Sequence, residues 1–348
     1  MKIDNFYIGK NSPVFIIAEL SANHNGSLET AIETIKAAKR TGANAIKLQT
    51  YTADTMTIDV KSPDFMLSQG TIWDGKYLHD LYKEAYTPWE WHEQLFKVAK
   101  DEGLICFSSP FDPTAVEFLE GLHAPAYKVA SFEITDIPLI ELMASKGKPV
   151  IISTGIAGTE DIELALDACK RMGNENIALL KCTSSYPAPI EEANMVMVKD
   201  LAERYGVISG LSDHTLGSTV PVVATSFGAK IIEKHFILDK SIGGADASFS
   251  MDEKEFTAMV KAVREAEKAI GNVDYSLSEK QKKGRDFSRS IYVIKDIEAG
   301  ETITEKNVRS IRPGFGLHPK YFNEILGKKA KDKLETGTRM DFSLLSDQ

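Results

Sequence analysis

The sequence predicts a parallel (β/α)8 TIM barrel followed by a small β-rich domain. Three observations predict it. Eight short apolar runs recur within about 270 residues, nearly all followed by a polar cluster and then a helical pattern. No glycine-rich dinucleotide turn follows an early strand, as an open doubly wound sheet would require. The pattern changes after Gly271, where the barrel units end.

The eight runs are 14–20, 45–48, 104–107, 126–130, 149–152, 177–182, 207–211 and 229–233. Between them the helices announce themselves at their ends. Thr87, Pro88 and Glu90 read as a capping box with proline at the first helical position, and Trp91, Leu95, Val98 and Ala99 follow at helical spacing before Gly103. Asp112-Pro113 and Asp136 open two further helices, because an aspartate side chain accepts from the free N–H groups of a first turn. Gly42, Gly147, Gly173 and Gly271 stand at helix ends. These signals place a barrel at 1–275, a polar, lysine-rich linker at 276–287 and a small domain at 288–348. In the small domain Asp296–Thr302 is weakly repeated as Lys333–Arg339, with a glycine at the same offset. So short a segment has little core of its own and is expected to dock on another surface.

Composition narrows the function. With 348 residues, 43% hydrophobic and 26% charged, the chain is globular rather than disordered or fibrous. Forty-one Lys and Arg against fifty Asp and Glu give a net charge of −9, so no broad basic surface exists for nucleic acid or an acidic membrane. The N-terminus lacks an apolar signal core and the run at 14–18 is too short to span a bilayer, so a cytoplasmic location is expected. Cys106, Cys169 and Cys182 are few, widely spaced and set among apolar residues, which suits buried thiols.

Barrel chemistry lies at the C-terminal strand ends, and there the sequence places Glu19, Lys47, Ser109, Lys128, Ser131, Glu133, Ser153, Ser184, Tyr186, Ser212, His214, Glu233 and His235. His214 and His235 are 21 residues apart on the last two strands, close enough for their imidazoles to share a divalent ion; a hydrogen-bonded interior pair is the alternative. His24 stands after the first strand as a third contributor or a turn residue. Lys47 and Lys128 lie within or just past apolar strands, where an ammonium needs an anion, either a structural carboxylate or a bound phosphate. The serines, with Gly155–Gly158 leading into a helix at Thr159, supply the hydroxyls and N–H groups of a phosphate and carboxylate cradle.

With those residues in view, the chain resembles the phosphoenolpyruvate-dependent nonulosonate (sialic acid) synthases over nearly its whole length. The similarity is carried by AELSANHNG (18–26), AIKLQTY (45–51), FSSPF (107–111), AYKVASFE (126–133), ISTG (152–155), KCTSSYP (181–187), GLSDH (210–214), IEKHF (232–236) and RPGFGLHP (312–319). Its tail is similar to the antifreeze-like (SAF) domain that ends these synthases. LSANH, QTY and TPWEWH are most similar to the pseudaminic acid branch and less so to the neuraminate branch.

The resemblance implies an enzyme that forms a carbon–carbon bond between phosphoenolpyruvate and an open-chain acetamido sugar, with water entering and phosphate leaving by C–O cleavage. It implies that His214 and His235 hold a divalent ion, most often Mn²⁺, with Mg²⁺ or Co²⁺ as substitutes. It implies that Lys47, Ser109, Lys128, Ser131, Ser153, Ser184 and Ser212 surround phosphoenolpyruvate, and that Glu19, Tyr186 and Asp246 face the sugar. Arg312 is implied to reach that sugar from the other subunit of a domain-swapped homodimer. Ser184 departs from the asparagine of the neuraminate branch. Glu19, Glu133 and Glu233 are the acid/base candidates, with Tyr186 beside them, and the sequence does not choose among the glutamates. The expected sugar is 2,4-diacetamido-2,4,6-trideoxy-β-L-altropyranose; a neuraminate or legionaminate precursor is the alternative. Synthases for phosphorylated aldoses would need extra cations where Glu19 and Asp246 stand. A non-catalytic carbohydrate- or ice-binding protein would not need this ionisable rim.

Overall fold

The computed structural model describes residues 1–68, 70 and 72–346, which form two compact units, Met1–Gly271 and Asn272–Gln348. The first is a closed barrel of eight parallel strands: β3 (Phe15–Glu19), β4 (Ala45–Thr50), β5 (Ile105–Pro110), β6 (Tyr127–Val129), β7 (Val150–Ser153), β8 (Ile177–Cys182), β9 (Ile208–Asp213) and β10 (Ile231–His235), with β10 pairing back onto β3. Each coincides with one of the eight apolar runs. Ahead of them a two-stranded hairpin, β1 (Lys2–Ile3) and β2 (Phe6–Tyr7), packs Ile3 and Ile8 into the barrel's interior cluster.

Alternation along each strand sorts the side chains. Phe15 and Ile17, Ala45, Ile105 and Phe107, Ala126, Ile151, Ala178 and Leu180, and Ile231 meet in that interior cluster. Their neighbours of opposite parity, such as Ile16, Ile46, Val129, Ile152, Leu179 and Ile232, pack between barrel and helices. Gly210 belongs to the inner set for a steric reason: a Cβ there would lie 2.3 Å from the Ile231 carbonyl oxygen and 2.8 Å from Leu180 Cδ2.

The enclosing helices are α1 (Leu28–Arg40), α2 (Ala53–Met56), α3 (Leu78–Ala85), α4 (His92–Asp101), α5 (Pro113–Gly121), α6 (Ile137–Ser145), α7 (Thr159–Arg171), α8 (Val196–Tyr205), α9 (Thr219–Ser226) and α10 (Glu253–Ile270). Asp112 and Asp136 cap α5 and α6 as their sequences predict. The capping box at Thr87 does not form. A short 3-10 turn, Trp89–Trp91, precedes α4, and the Thr87 hydroxyl turns inward to within 3.3 Å of His24 Nε2. None of the described helices is long and apolar enough to cross a membrane.

The second unit contains α11 (Glu279–Gly284) and a 3-10 turn at Arg285–Phe287, so the segment expected to be a linker is partly helical. Strands β11 (Ser290–Val293) and β12 (Val308–Ile311) and α12 (Phe322–Ile325) follow around a core that includes Ile291, Ile297, Val308, Ile325 and Leu334. Here the sequence repeat acquires a meaning. Ile297 and Leu334 exchange both backbone hydrogen bonds at 2.9 Å, and Gly337 N donates to Val293 as Gly300 N donates to Ala330. Each copy of the repeat is thus the pairing partner of the other.

Candidate active site

The site is the upward continuation of the barrel's inner rows. After Ile17 comes Glu19; after Ala45, Lys47 and Gln49; after Phe107, Ser109; after Ala126, Lys128; after Ile151, Ser153; after Leu180, Cys182; after Gly210, Ser212 and His214; after Ile231, Glu233 and His235. The same period-two geometry that builds the apolar floor therefore converges these polar groups at its top.

Two buried ammonium groups anchor that layer. Lys47 Nζ lies 2.7 Å from Glu19 Oε2, 3.4 Å from Glu233 Oε1 and 3.2 Å from the Ser109 hydroxyl. Lys128 Nζ donates to Ser153 Oγ at 2.6 Å and to its neighbour's carbonyl at 2.9 Å, and stands 4.0 Å from Glu233 Oε1. Lys47 thus has a close structural carboxylate, whereas Lys128 is held mainly by uncharged oxygens. Ser212 Oγ reaches the same Glu233 oxygen at 3.4 Å.

Burial and these neighbours set the protonation states. Burial pushes Glu19 up to about 7, against the pull of Lys47 and with the help of Glu233. Burial would raise Glu233 too, but the Lys128 and Lys47 ammonium groups hold it below the ordinary carboxylate range. Burial lowers Lys128. Burial pushes Glu133 up to about 7, although Lys128 opposes it, and its buried Oε2 has no hydrogen-bond partner among the described residues. The floor thus sets Lys47, held charged by its carboxylate neighbours, beside an ionised Glu233, while burial works against the charge on Lys128, a cost that an added anion would offset.

Ser131 and Ser184 form a second cluster around Gly155. The Gly155 N–H donates to Ser131 Oγ at 3.2 Å, and a Cβ on Gly155 would lie 2.6 Å from Ser131 Oγ and 2.1 Å from Ser184 Oγ. Ser184 Oγ is buried with no partner among the described residues. Two hydroxyls packed over a glycine that has no side chain, one of them unsatisfied, make a concavity that suits an anionic oxygen. The long α7 begins close by, with Gly158 as its N-cap.

The histidine pair lies beside this floor. The rings of His214 and His235 are 5.3 Å apart between centroids. His214 Nδ1 lies 3.0 Å from the Thr183 carbonyl oxygen, which directs its Nε2 lone pair elsewhere. Burial, with His214 and Lys47 adding to it, holds His235 well below its ordinary pKa, so that imidazole is neutral and able to ligate. Its Nδ1 is buried without a hydrogen-bond partner among the described residues and stands 3.7 Å from Asp246 Oδ2. Two neighbouring imidazoles, one of them neutral and with a ring nitrogen left unpaired, are chemically suited to a divalent cation. His24 is not part of it: its Nδ1 accepts from Gly26 N and its ring packs edge-on against Trp91, in a structural role.

A cavity of about 150 Å³ opens above His235, bounded by Ser21, Gln49, Tyr51, Trp73, Tyr186 and Asp246 among others. Gln49 Nε2 donates to Glu19 Oε1 and to Ser21 Oγ, both at 3.0 Å, and Ser21 donates to Asp246 Oδ2 at 2.5 Å. Tyr186 packs against His214 with centroids 4.4 Å apart and against Trp73 at 5.4 Å. Tyr186 and Asp246 thus line this cavity, whereas Glu19 is not in its lining and is joined to it through Gln49. Arg312 belongs to the second unit and is exposed there.

Sequence reasoning missed Ser21 and Trp73 as wall residues, and Cys182, whose Sγ lies 3.8 Å from His214 Nδ1. The parity of Leu180 would have turned Cys182 inward. No local signal marks Trp73, whose place is fixed by a hydrogen bond to the carbonyl of Ala245, 172 residues away.

A barrel with its ionisable groups gathered at the C-terminal strand ends defines an enzyme of the TIM-barrel class. Residues 34–275 match the NeuB family and residues 288–339 match the SAF domain. The pseudaminic acid synthase of Campylobacter jejuni is 50% identical over 337 residues, 97% of each chain. That of Helicobacter pylori is 49% identical over 94% of this chain and 96% of its own. The crystal structure of an N-acetylneuraminic acid (sialic acid) synthetase from Leptospira borgpetersenii superposes with a TM-score of 0.73 at 31% identity, over 82% of this chain and 94% of that one. The chain belongs to the NeuB family. It is accordingly an enzyme, a nonulosonate synthase dependent on phosphoenolpyruvate.

Proposed function

We propose that the enzyme makes pseudaminic acid, condensing phosphoenolpyruvate with the open-chain aldehyde of 2,4-diacetamido-2,4,6-trideoxy-β-L-altropyranose. The observation that carries the sugar assignment is the 50% identity to a pseudaminic acid synthase along 97% of both chains. The chemistry is supported by the juxtaposition of two buried ammonium groups and a serine cradle with a pair of imidazoles.

In this reading Lys47, Lys128, Ser109 and Ser153 hold the carboxylate and phosphate of phosphoenolpyruvate, with Ser131, Ser184 and the Gly155 N–H receiving the phosphate oxygens, and Ser212 keeping Glu233 aimed at the lysines. His214 and His235 hold a divalent cation, with manganese expected, which when bound supplies Lewis-acid polarisation of the sugar carbonyl. Glu19, Gln49, Tyr186 and Asp246 orient the sugar. The C3 methylene of phosphoenolpyruvate bonds to the aldehyde carbon as cationic character develops at C2. Glu133 or Glu19, both near neutrality in pKa, accepts the proton of the water that adds at C2, and a proton ends on the former aldehyde oxygen. The tetrahedral carbon then expels phosphate through its C–O bond. Fixing both reactants in one geometry supplies on the order of 7–11 kcal/mol of the barrier, more than one acid/base group provides. Arg312 of a second copy completes the sugar site in a swapped homodimer.

The test is to incubate the enzyme with phosphoenolpyruvate, Mn²⁺ and a panel of acetamido sugars and to weigh the products. Phosphate release with a nonulosonate of the mass expected from the diacetamido-trideoxy sugar supports the reading. Turnover of N-acetylmannosamine alone would overturn the sugar assignment.

A further inference from the structure

His214 and His235 face the barrel interior, and the residue before each faces outward. Asp213 and Lys234 meet there, both side chains 1% exposed, with Lys234 Nζ 2.5 Å from Asp213 Oδ2. The same ammonium donates to the Thr215 carbonyl at 2.5 Å, and Asp213 Oδ1 accepts from Thr215 N at 2.9 Å and from its hydroxyl at 2.8 Å. These four hydrogen bonds close a knot around the backbone that carries His214. Its location matters because the β9–β10 ladder ends at the Lys234–Asp213 pair, leaving His214 one residue past the last pairing of those strands. Beyond that point the ion pair, rather than the ladder, ties the two strand ends together.

A buried ion pair of this kind adds little stability over a well-packed apolar pair, but it fixes geometry because each charge has few acceptable partners. We propose that Asp213 and Lys234, with Thr215, are positioning residues for the divalent cation, setting the separation of the His214 and His235 imidazoles. The inference rests on the reading of those histidines as ligands. Ring positions a few tenths of an ångström apart distinguish a preformed site from a loose one, and losing support of this type weakens metal binding by roughly 10- to 100-fold.

The test measures Mn²⁺ binding to the full, chelator-stripped chain by calorimetry and by the electron paramagnetic resonance of the ion. Replacing the pair by apolar groups of similar size, Asp213→Leu with Lys234→Met, is expected to weaken Mn²⁺ binding by roughly 10- to 100-fold. At saturating Mn²⁺ most of kcat should return, with the KM for phosphoenolpyruvate unchanged. Thr215→Val, which leaves the ion pair in place, guards against a double variant that fails to fold and is expected to weaken Mn²⁺ binding several-fold. Variants that bind Mn²⁺ as tightly as wild type, even if they melt earlier, would overturn the positioning role. If wild type itself binds no Mn²⁺, the ligand reading falls first and this inference with it.

Discussion

Replacing Glu133 by glutamine should make the enzyme more stable at alkaline pH and leave it unchanged in mild acid. Glu133 is a carboxyl whose burial raises its pKa from 4.5 to about 7 and whose Oε2 finds no hydrogen-bond partner among the described residues. The folded state keeps its proton longer than the unfolded chain does. The stabilising term is therefore fully present below pH 4.5 and is lost as pH rises through about 7. Over that interval the loss amounts to about 3 kcal/mol. Glutamine has the same shape and no charge, so at pH 8.5 the variant should exceed wild type by up to about 3 kcal/mol, or about 5 °C in Tm for a domain of this size. At pH 4.5 the two should coincide. Thermal unfolding of both proteins at the two pH values, with no ligand present, is the assay. An equal offset at both pH values would show that Glu133 is solvated and would remove the physical basis for its role as a base. If it does move the proton of the attacking water, the same variant loses kcat while the KM for phosphoenolpyruvate stays within about twofold.

Three further outcomes are expected. Chelation should abolish phosphate release and added Mn²⁺ should restore it, whereas a His214→Ala, His235→Ala double variant should respond to neither; turnover by stripped enzyme would refute the metal role. Lys128→Met removes an ammonium that makes charge-assisted hydrogen bonds of about 1.5–3 kcal/mol, so the KM for phosphoenolpyruvate should rise roughly 10- to 100-fold in a phosphate-release assay; an unchanged KM would reduce Lys128 to a structural residue. Gly155→Ala puts a methyl 2.1 Å from Ser184 Oγ and 2.6 Å from Ser131 Oγ, so it should raise the same KM while Ser184→Gly in the same chain partly restores it; failure of that rescue would separate Ser184 from the cradle.

Much of the site was legible because a barrel strand alternates strictly. Once the runs at 14–20 and 229–233 are read as strands, Phe15 and Ile17 place Glu19 inward, and Ile231 places Glu233 and His235 inward. The repeat at 296–302 and 333–339 was likewise visible, but that its copies pair with one another required the Ile297–Leu334 hydrogen bonds. Local rules misled at Thr87, where the pattern of a capping box gave way to a contact with His24. A hydroxyl takes the partner that tertiary packing brings nearest, and a first-turn N–H exposed to water does not need it.

What the sequence determined by itself was the order of the strands, the parity of their side chains and hence which groups stand on the floor of the site, since each of these follows from interactions among near neighbours in the chain. Tertiary structure alone decided the contacts that join distant segments. The Gln49–Ser21–Asp246 chain spans 225 residues between Ser21 and Asp246, and the Ser131–Gly155–Ser184 cradle draws on three different strand-to-helix connections. The physical reason is that a loop residue is held by whatever surface it folds against, and no periodicity in the chain encodes that surface.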